Sequence, residues 1–330
     1  MKKICIILLV SFSFSQWYSI NHDGGVRSYY ITESLPSLEP AALVINMHGF
    51  GGNAQGQATT AMINFAAENI IVVYPQGAAN SFGYPSWNVG TYWDGNNYDD
   101  VDFISKMIDN IAEDFVIDLD RVYACGMSNG GYMAYRLACE LSNKIAAFGS
   151  VTGNFMLDAI NCEEHTREIP IIHFHGTADG VVDYYPPSFD QALTIEESIS
   201  FWSNKNDLTQ VNFWDLNNSV EIQEYSSLSS TVNFTHYKVS GGSHEWFGNN
   251  WGFNASEELL NYFLQYRLSD FIYTNLLGDL NNDEAVNILD ILLIIDLILE
   301  STFNENGDIN TDNYIDILDI VEIVQIILNN

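Results

Sequence analysis

Gly126-Met127-Ser128-Asn129-Gly130 is a G-x-S-x-G, extended by Gly131. A serine in that setting is a candidate nucleophile. It sits on a sharp, strained turn, where side chains on its neighbours would clash and glycines remove the clash. The helix that follows offers backbone N–H groups to a developing oxyanion. The hydroxyl needs a base to take its proton, and the base needs an acid to orient it. Asp179 lies in His175-Gly176-Thr177-Ala178-Asp179-Gly180, the loop leaving an apolar run, and His244 lies in Gly241-Gly242-Ser243-His244-Glu245-Trp246. Serine, acid, histidine is an order that such triads adopt. Asp183 is the rival acid, with a solvated loop carboxylate as its alternative reading. Upstream, Met47-His48-Gly49-Phe50-Gly51-Gly52-Asn53 is glycine-rich, so that backbone amides can converge where charge develops. The N–H groups of Phe50 and Asn129 are the expected donors. The chemistry is two-step acyl transfer without a catalytic cofactor.

The remaining histidines fit this chemistry less well. His22 and His165 lie outside the expected loops, and His236 alternates within a strand. His173 and His175 flank the acid as packing or hydrogen-bonding residues. Trp87, Trp93 and Trp246 lie in loops where a substrate could meet them, with Tyr92 and Phe247 adjacent. The alternative is that these rings pack the loop bases. Asp99-Asp100-Val101-Asp102 suits a capped, solvated helix start.

A second set of residues suits calcium. Asp279, Asn281, Asp283, Asn287 and Asp290 stand at positions 1, 3, 5, 9 and 12 of a loop, and Asp308, Asn310, Asp312, Asp316 and Asp319 repeat them 29 residues on. Carbonyls of Ala285 and Tyr314 at position 7 would complete two sites of hard oxygen donors, one ion each. A repeat that keeps its register is a duplicated unit. Position 6 is Glu284 or Asn313, where a sharp turn favours glycine, so strain is expected there. Each loop runs into an apolar stretch too short and too acidic to span a membrane, which suggests two amphipathic helices packed on one another.

These residues must be held by a larger frame. Short apolar runs such as Leu43–Met47 and Ile70–Tyr74 alternate with helical spacing, as over Asp99–Phe115 and Asn129–Leu141. Further strands are expected at Ala146–Val151 and Pro170–Phe174, and helices at Glu196–Asn206 and Ala255–Tyr266. Such alternation predicts an α/β fold with a mostly parallel sheet flanked by helices, followed by a small all-α calcium-loop module. Lys2 and Lys3 before a short apolar stretch suggest a secretory signal at 1–15. The catalytic domain is then 16–268, a linker 269–276 and the calcium module 277–330. Export leaves three cysteines. Cys125 fits a buried strand, which leaves Cys139 and Cys162 as the pair.

The chain has 330 residues, 43 acidic and 11 basic, for a formal net charge of −32. Such a polyanion is not suited to nucleic acid or to an anionic membrane surface.

The segments quoted, with Asp120-Arg121-Val122-Tyr123 before the serine motif, resemble the secreted poly(3-hydroxybutyrate) depolymerase and feruloyl esterase group of α/β hydrolases, related to carbohydrate esterase family 1. The resemblance covers residues 24–267. It implies an α/β-hydrolase fold, Ser128 as nucleophile, Asp179 as acid, His244 as base, and a Cys139–Cys162 bridge. Substrates in that group are polyesters, feruloylated or acetylated polysaccharides, and simple esters. Residues 277–330 resemble a dockerin, which implies calcium and a cohesin-bearing scaffold as partner. Positions 10 and 11 are Ile-Leu in both copies, a departure from the small hydroxyl residues common there. Two other functions remain open on sequence: a serine peptidase on the same fold, and a non-catalytic calcium-dependent binding protein.

Overall fold

Runs such as Leu43-Val44-Ile45 and Val72-Val73 are apolar on both faces, and they lie at the centre of one sheet with helices over it. The computed structural model describes residues 15–33, 39–63, 69–90, 96–156, 162, 167–185, 193–228, 230–271, 277–281 and 286–329. The signal segment and most of the expected linker lie outside these residues. The chain divides into two compact units, Met1–Leu268 and Ser269–Asn330.

In the first unit the strands are β1 Ser15–His22, β2 Gly25–Glu33, β3 Ala41–Met47, β4 Ile70–Pro75, β5 Ala78–Ala79, β6 Pro85–Ser86, β7 Ile117–Met127, β8 Ala147–Val151, β9 Ile171–Gly176, β10 Gln210–Asn217, β11 Val220–Ser226 and β12 Phe234–Val239. The helices are α1 Ala54–Ala61, α2 Asp100–Asp114, α3 Asn129–Glu140, α4 Ile195–Lys205 and α5 Ala255–Phe263. Among the described residues, ten strands form a sheet in the order β1-β2-β4-β3-β7-β8-β9-β12-β11-β10, and β5 pairs with β6 apart from it. From β4 to β12 the pairs are parallel. Antiparallel hairpins close both edges. The first turns at Asp23-Gly24, both with positive φ, as a two-residue hairpin requires. Strand order reverses at β3, which lies between β4 and β7, so the crevice at the carboxyl ends of β3 and β7 is the expected ligand position.

The Cys139–Cys162 disulfide is formed, and Cys125 is a buried free thiol. The start of α2 differs from the solvated form expected. Asp99 caps the helix, its carboxylate accepting the Asp102 N–H at 3.0 Å. Asp100, however, is fully buried against Arg27 at 2.7 Å and accepts the Asn88 N–H at 2.7 Å. Burial pushes its pKa up while the Arg27 guanidinium opposes that shift. A buried carboxylate is tolerated here because its partners come from β2 and the loop after β6.

In the second unit, α6 Ile288–Glu300 and α7 Ile317–Asn329 pack on each other around Ile294, Ile309 and Ile323. Among the described residues no helix is long and apolar enough to cross a membrane.

Candidate functional site

Ser128 stands between the end of β7 and the start of α3 with φ 54° and ψ −120°, a left-handed backbone for a non-glycine residue. Its flanking glycines are sterically required. A Cβ on Gly126 would lie 2.4 Å from the Gly130 carbonyl, and one on Gly130 would lie 2.2 Å from the Met47 oxygen. The oxyanion loop approaches from β3, where a Cβ on Gly49 would come within 3.3 Å of the Ser128 Cβ. Asn129 opens α3, so its N–H is among the first-turn donors that the helix itself does not satisfy.

The loops after β9 and β12 are laced together. Thr177 N–H donates to the Val239 carbonyl and Ala178 N–H to that of Gly242, both at 2.9 Å. Gly176 packs against Gly242 so closely that a Cβ would meet its oxygen at 2.1 Å. This lacing brings His244 Nδ1 to 2.8 Å from Asp179 Oδ2. The other carboxylate oxygen accepts the N–H groups of Val181 (2.8 Å) and Val182 (2.9 Å). Burial acts to raise the Asp179 pKa, but hydrogen bonds from His175, His244 and the two amides hold it well below the usual carboxylate range. Asp179, not Asp183, is the partner of His244. Tyr132, on α3, has its phenol pushed up by burial and then by the Asp179 charge. Ser128 and His244 share no direct hydrogen bond among the described residues; such contacts commonly tighten only around a substrate.

His48 braces the oxyanion loop. Gly77 N–H donates to its Nε2 at 2.9 Å, so the ring proton is on Nδ1, 2.7 Å from the Gly49 carbonyl. Burial lowers its pKa to about 4, aided by Arg27 and opposed by the Gly49 bond, so it acts as a neutral strut.

Of the three candidate tryptophans, Trp87 and Trp246 are described, and each makes an internal hydrogen bond. Trp87 cannot meet substrate: it is fully buried, its indole N–H donates to the His48 carbonyl at 2.8 Å, and its backbone N–H donates to Asn129 Oδ1 at 2.7 Å. It clamps the oxyanion loop to the serine turn. Trp246 is half-buried and donates to Ser256 Oγ at 2.9 Å, fastening the His244 loop to α5. Phe247 is fully buried. Trp93 and Tyr92 lie outside the described residues.

His175, expected as a packing or hydrogen-bonding residue, takes the second role. Its Nε2 lies 2.8 Å from the Val182 carbonyl and 3.4 Å from Asp179 Oδ2, so that nitrogen carries the proton and faces the acid. His173 Nε2, shared between the Gly153 carbonyl (3.0 Å) and His175 Nδ1 (3.3 Å), holds that tautomer. The signal available in the sequence was a His-Gly pair four residues before the acid. His175→Leu should lower kcat about tenfold, whereas His175→Gln, which keeps a donor, should recover most of it. Without the donor Asp179 favours the imidazolium more, so the acid limb of the kcat/KM profile should move up in pH. An unshifted profile would reduce His175 to packing.

Among the described residues of the calcium module, the bonds around Asp290 are repeated around Asp319. Asp290 is fully buried, and its carboxylate accepts the N–H groups of Leu280 (2.8 Å), Asn281 (3.2 Å) and Asn287 (2.9 Å). Asp319, also fully buried, accepts those of Ile309 (2.8 Å), Asn310 (3.2 Å) and Asp316 (2.8 Å). Asn287 and Asp316 also accept the N–H two residues on, at 2.8 and 2.7 Å, capping their helices. Asn313 has φ 67°, the left-handed turn that asparagine tolerates. Asp283, Glu284 and Ala285 lie outside the described residues. Among the described residues no three acidic side chains are yet gathered as a cage. The donor set still fits a hard cation: it is all oxygen, and the Oδ2 atoms of Asp290 and Asp319, each accepting one N–H among the described residues, keep a second lone pair.

Residues 33–235 match the phospholipase/carboxylesterase family, and residues 277–328 match the dockerin type I domain. A bifunctional acetylxylan esterase/xylanase of Neocallimastix patriciarum is 31% identical over 144 residues, 43% of this chain and 20% of that protein. Feruloyl esterase B of Piromyces equi is 34% identical over 152 residues, 44% of this chain and 27% of that protein. The chain thus spans only about a quarter of the length of these relatives. The fold is shared with an acetyl xylan esterase from Aspergillus awamori (TM-score 0.54, 14% identity, 75% of this chain and 98% of that one). It is also shared with a family 1 ferulic acid esterase from Anaeromyces mucronatus (TM-score 0.51, 15% identity, 80% and 93%). With its serine turn at the switch point of a mostly parallel sheet, this chain belongs to the phospholipase/carboxylesterase family of α/β hydrolases and carries a C-terminal dockerin domain.

Proposed function

We propose that the protein is a secreted serine esterase acting on carboxylic esters carried by plant polysaccharide. One observation carries the reading: a strained serine between two sterically required glycines faces the oxyanion loop, and the Asp179–His244 pair stands at neighbouring strand ends. His244 gives its Nδ1 proton to the bond with Asp179, which leaves the Nε2 lone pair to take the Ser128 proton. The hydroxyl oxygen attacks the ester carbonyl, and the N–H groups of Phe50 and Asn129 hold the oxyanion, each contributing about 3 kcal/mol. His244 protonates the leaving alcohol, then activates water to release the acid. The names of the relatives favour feruloyl or acetyl esters over polyester. A panel of methyl ferulate, an acetylated xylo-oligosaccharide, a 3-hydroxybutyrate oligomer and a peptide anilide tests this. Turnover of the first two supports the reading. Faster cleavage of the oligomer would make the protein a polyester depolymerase, and faster cleavage of the anilide a peptidase.

The dockerin domain binds calcium, and we place one ion in each loop. Asp279, Asn281, Asp283, Asn287 and Asp290 with the Ala285 carbonyl would hold the first; Asp308, Asn310, Asp312, Asp316 and Asp319 with the Tyr314 carbonyl would hold the second. A cohesin-type scaffold is the proposed partner. From Asp279 to Asn330 there are 12 acidic residues and no lysine or arginine. Chelation should therefore leave those carboxylates repelling one another and loosen the module. In the full chain we expect a chelator to reduce the far-UV helical signal and calcium to restore it, with ester hydrolysis unchanged. A signal indifferent to both would sink the calcium assignment.

A further inference from the structure

Beside the oxyanion loop the fold leaves three aromatic rings in solvent. Phe50, Tyr84 and Phe82 are 42%, 55% and 70% exposed. The backbone that carries them is braced. In the turn between β5 and β6, the Asn80 side-chain oxygen accepts the N–H groups of Phe82 and Tyr84, both at 3.0 Å. The Asn80 N–H donates to the Tyr84 carbonyl at 2.8 Å. This turn is bolted to the oxyanion loop, because Gly51 N–H donates to the Pro85 carbonyl at 2.8 Å and the Phe50 and Tyr84 rings stand 5.6 Å apart. A Cβ on Gly49, the neighbour of Phe50, would lie 3.9 Å from the Ser128 Oγ. From Gly77 to Gly90 there is no charged residue, in a chain of net charge −32.

We propose that Phe82 and Tyr84, with the Phe50 ring, form the subsite for the aromatic acyl group of a hydroxycinnamoyl-type ester, and set a preference for such esters over acetyl esters. The proposal rests on the esterase reading above. Main-chain bonds fix the backbone that presents these rings, so binding has only side-chain rotations left to order. A neutral, planar ring joined to the carbonyl by a short unsaturated spacer matches it in shape and polarity. A sugar matches it less well, since Asn80 has already committed its oxygen to two N–H groups and the rings add only the Tyr84 hydroxyl.

The test compares wild type, Tyr84→Phe, and the double variant Phe82→Ala/Tyr84→Ala on three substrates: methyl ferulate, a feruloylated arabino-oligosaccharide and an acetylated xylo-oligosaccharide. The main-chain bonds of the turn survive these changes. The double variant should lose about tenfold in kcat/KM on both ferulate esters, mostly through KM. It should keep its rate on the acetyl ester, and Tyr84→Phe should resemble wild type. An equal fall on all three substrates, or no fall on any, overturns the subsite. A fall confined to the oligosaccharide ferulate also overturns it, because the rings would then be reading sugar. A wild type inactive on every ester overturns the esterase reading and the subsite with it. An active wild type with unchanged variants overturns the subsite alone.

Discussion

Ser128→Ala should lower kcat by about four to six orders of magnitude while leaving the fold intact. The change removes the attacking oxygen and little else. The Ser128 side chain caps no hydrogen bond of α3, and alanine bears the positive φ no worse than serine does. Unfolding temperature and circular dichroism should therefore match wild type. Asp179→Asn should cost about four orders of magnitude, since an amide can no longer hold the Nδ1–H tautomer of His244. The two variants combined should be little worse than Ser128→Ala alone, because residues acting as one unit are not additive. Initial rates on methyl ferulate, with burst titration of the acyl-enzyme, would measure this. A Ser128→Ala enzyme keeping a tenth of the rate would mean that the chemistry is done elsewhere.

The second large effect is acid sensitivity. His48, His173 and His236 are buried in the catalytic unit. Burial lowers the His48 pKa to about 4 and that of His236 to about 3, and it holds His173 well below its ordinary value. In the unfolded chain each would titrate near 6.5. The unfolded state therefore binds more protons between pH 6.5 and the folded values. The stability that these histidines contribute is complete above pH 6.5 and is lost as pH falls through that window, by up to about 1.4 kcal/mol per pH unit for each. All three rings act in the same direction, so their losses reinforce one another as pH falls. Asp179 acts in the same direction but later, because its depressed carboxylate loses its contribution only as pH falls from about 4 toward its folded value. Unfolding temperature should drop steeply between pH 7 and 5, and less steeply in His236→Gln. A flat profile over that range would show that these rings reach solvent or find counter-charges in the folded state.

Much of the site was legible before any coordinates, and for a local reason. The glycines around Ser128, the loop from His48 to Asn53 and the duplicated aspartates record what the backbone must do within a few residues, so spacing alone displays them. The parallel strands were legible because burial on both faces leaves an unbroken apolar run. The edge hairpins were not. Every residue of β10 is exposed, including Phe213 and Trp214, so no burial pattern marks it.

The sequence by itself determined that Ser128 would stand on a strained turn between glycines, that Asp179 and His244 would follow on later loops, and that the acidic tail is a duplicated oxygen-rich unit. Only the tertiary structure decided that Trp87 is a buried clamp, that Asp100 is sealed against Arg27 from 73 positions upstream, that Asp179 has a second histidine beside it, and that Phe82 and Tyr84 stand next to the oxyanion loop. Local spacing follows from backbone geometry. Burial and the identity of a side chain's partner depend on which distant segments pack together, and no window of neighbouring residues contains that information.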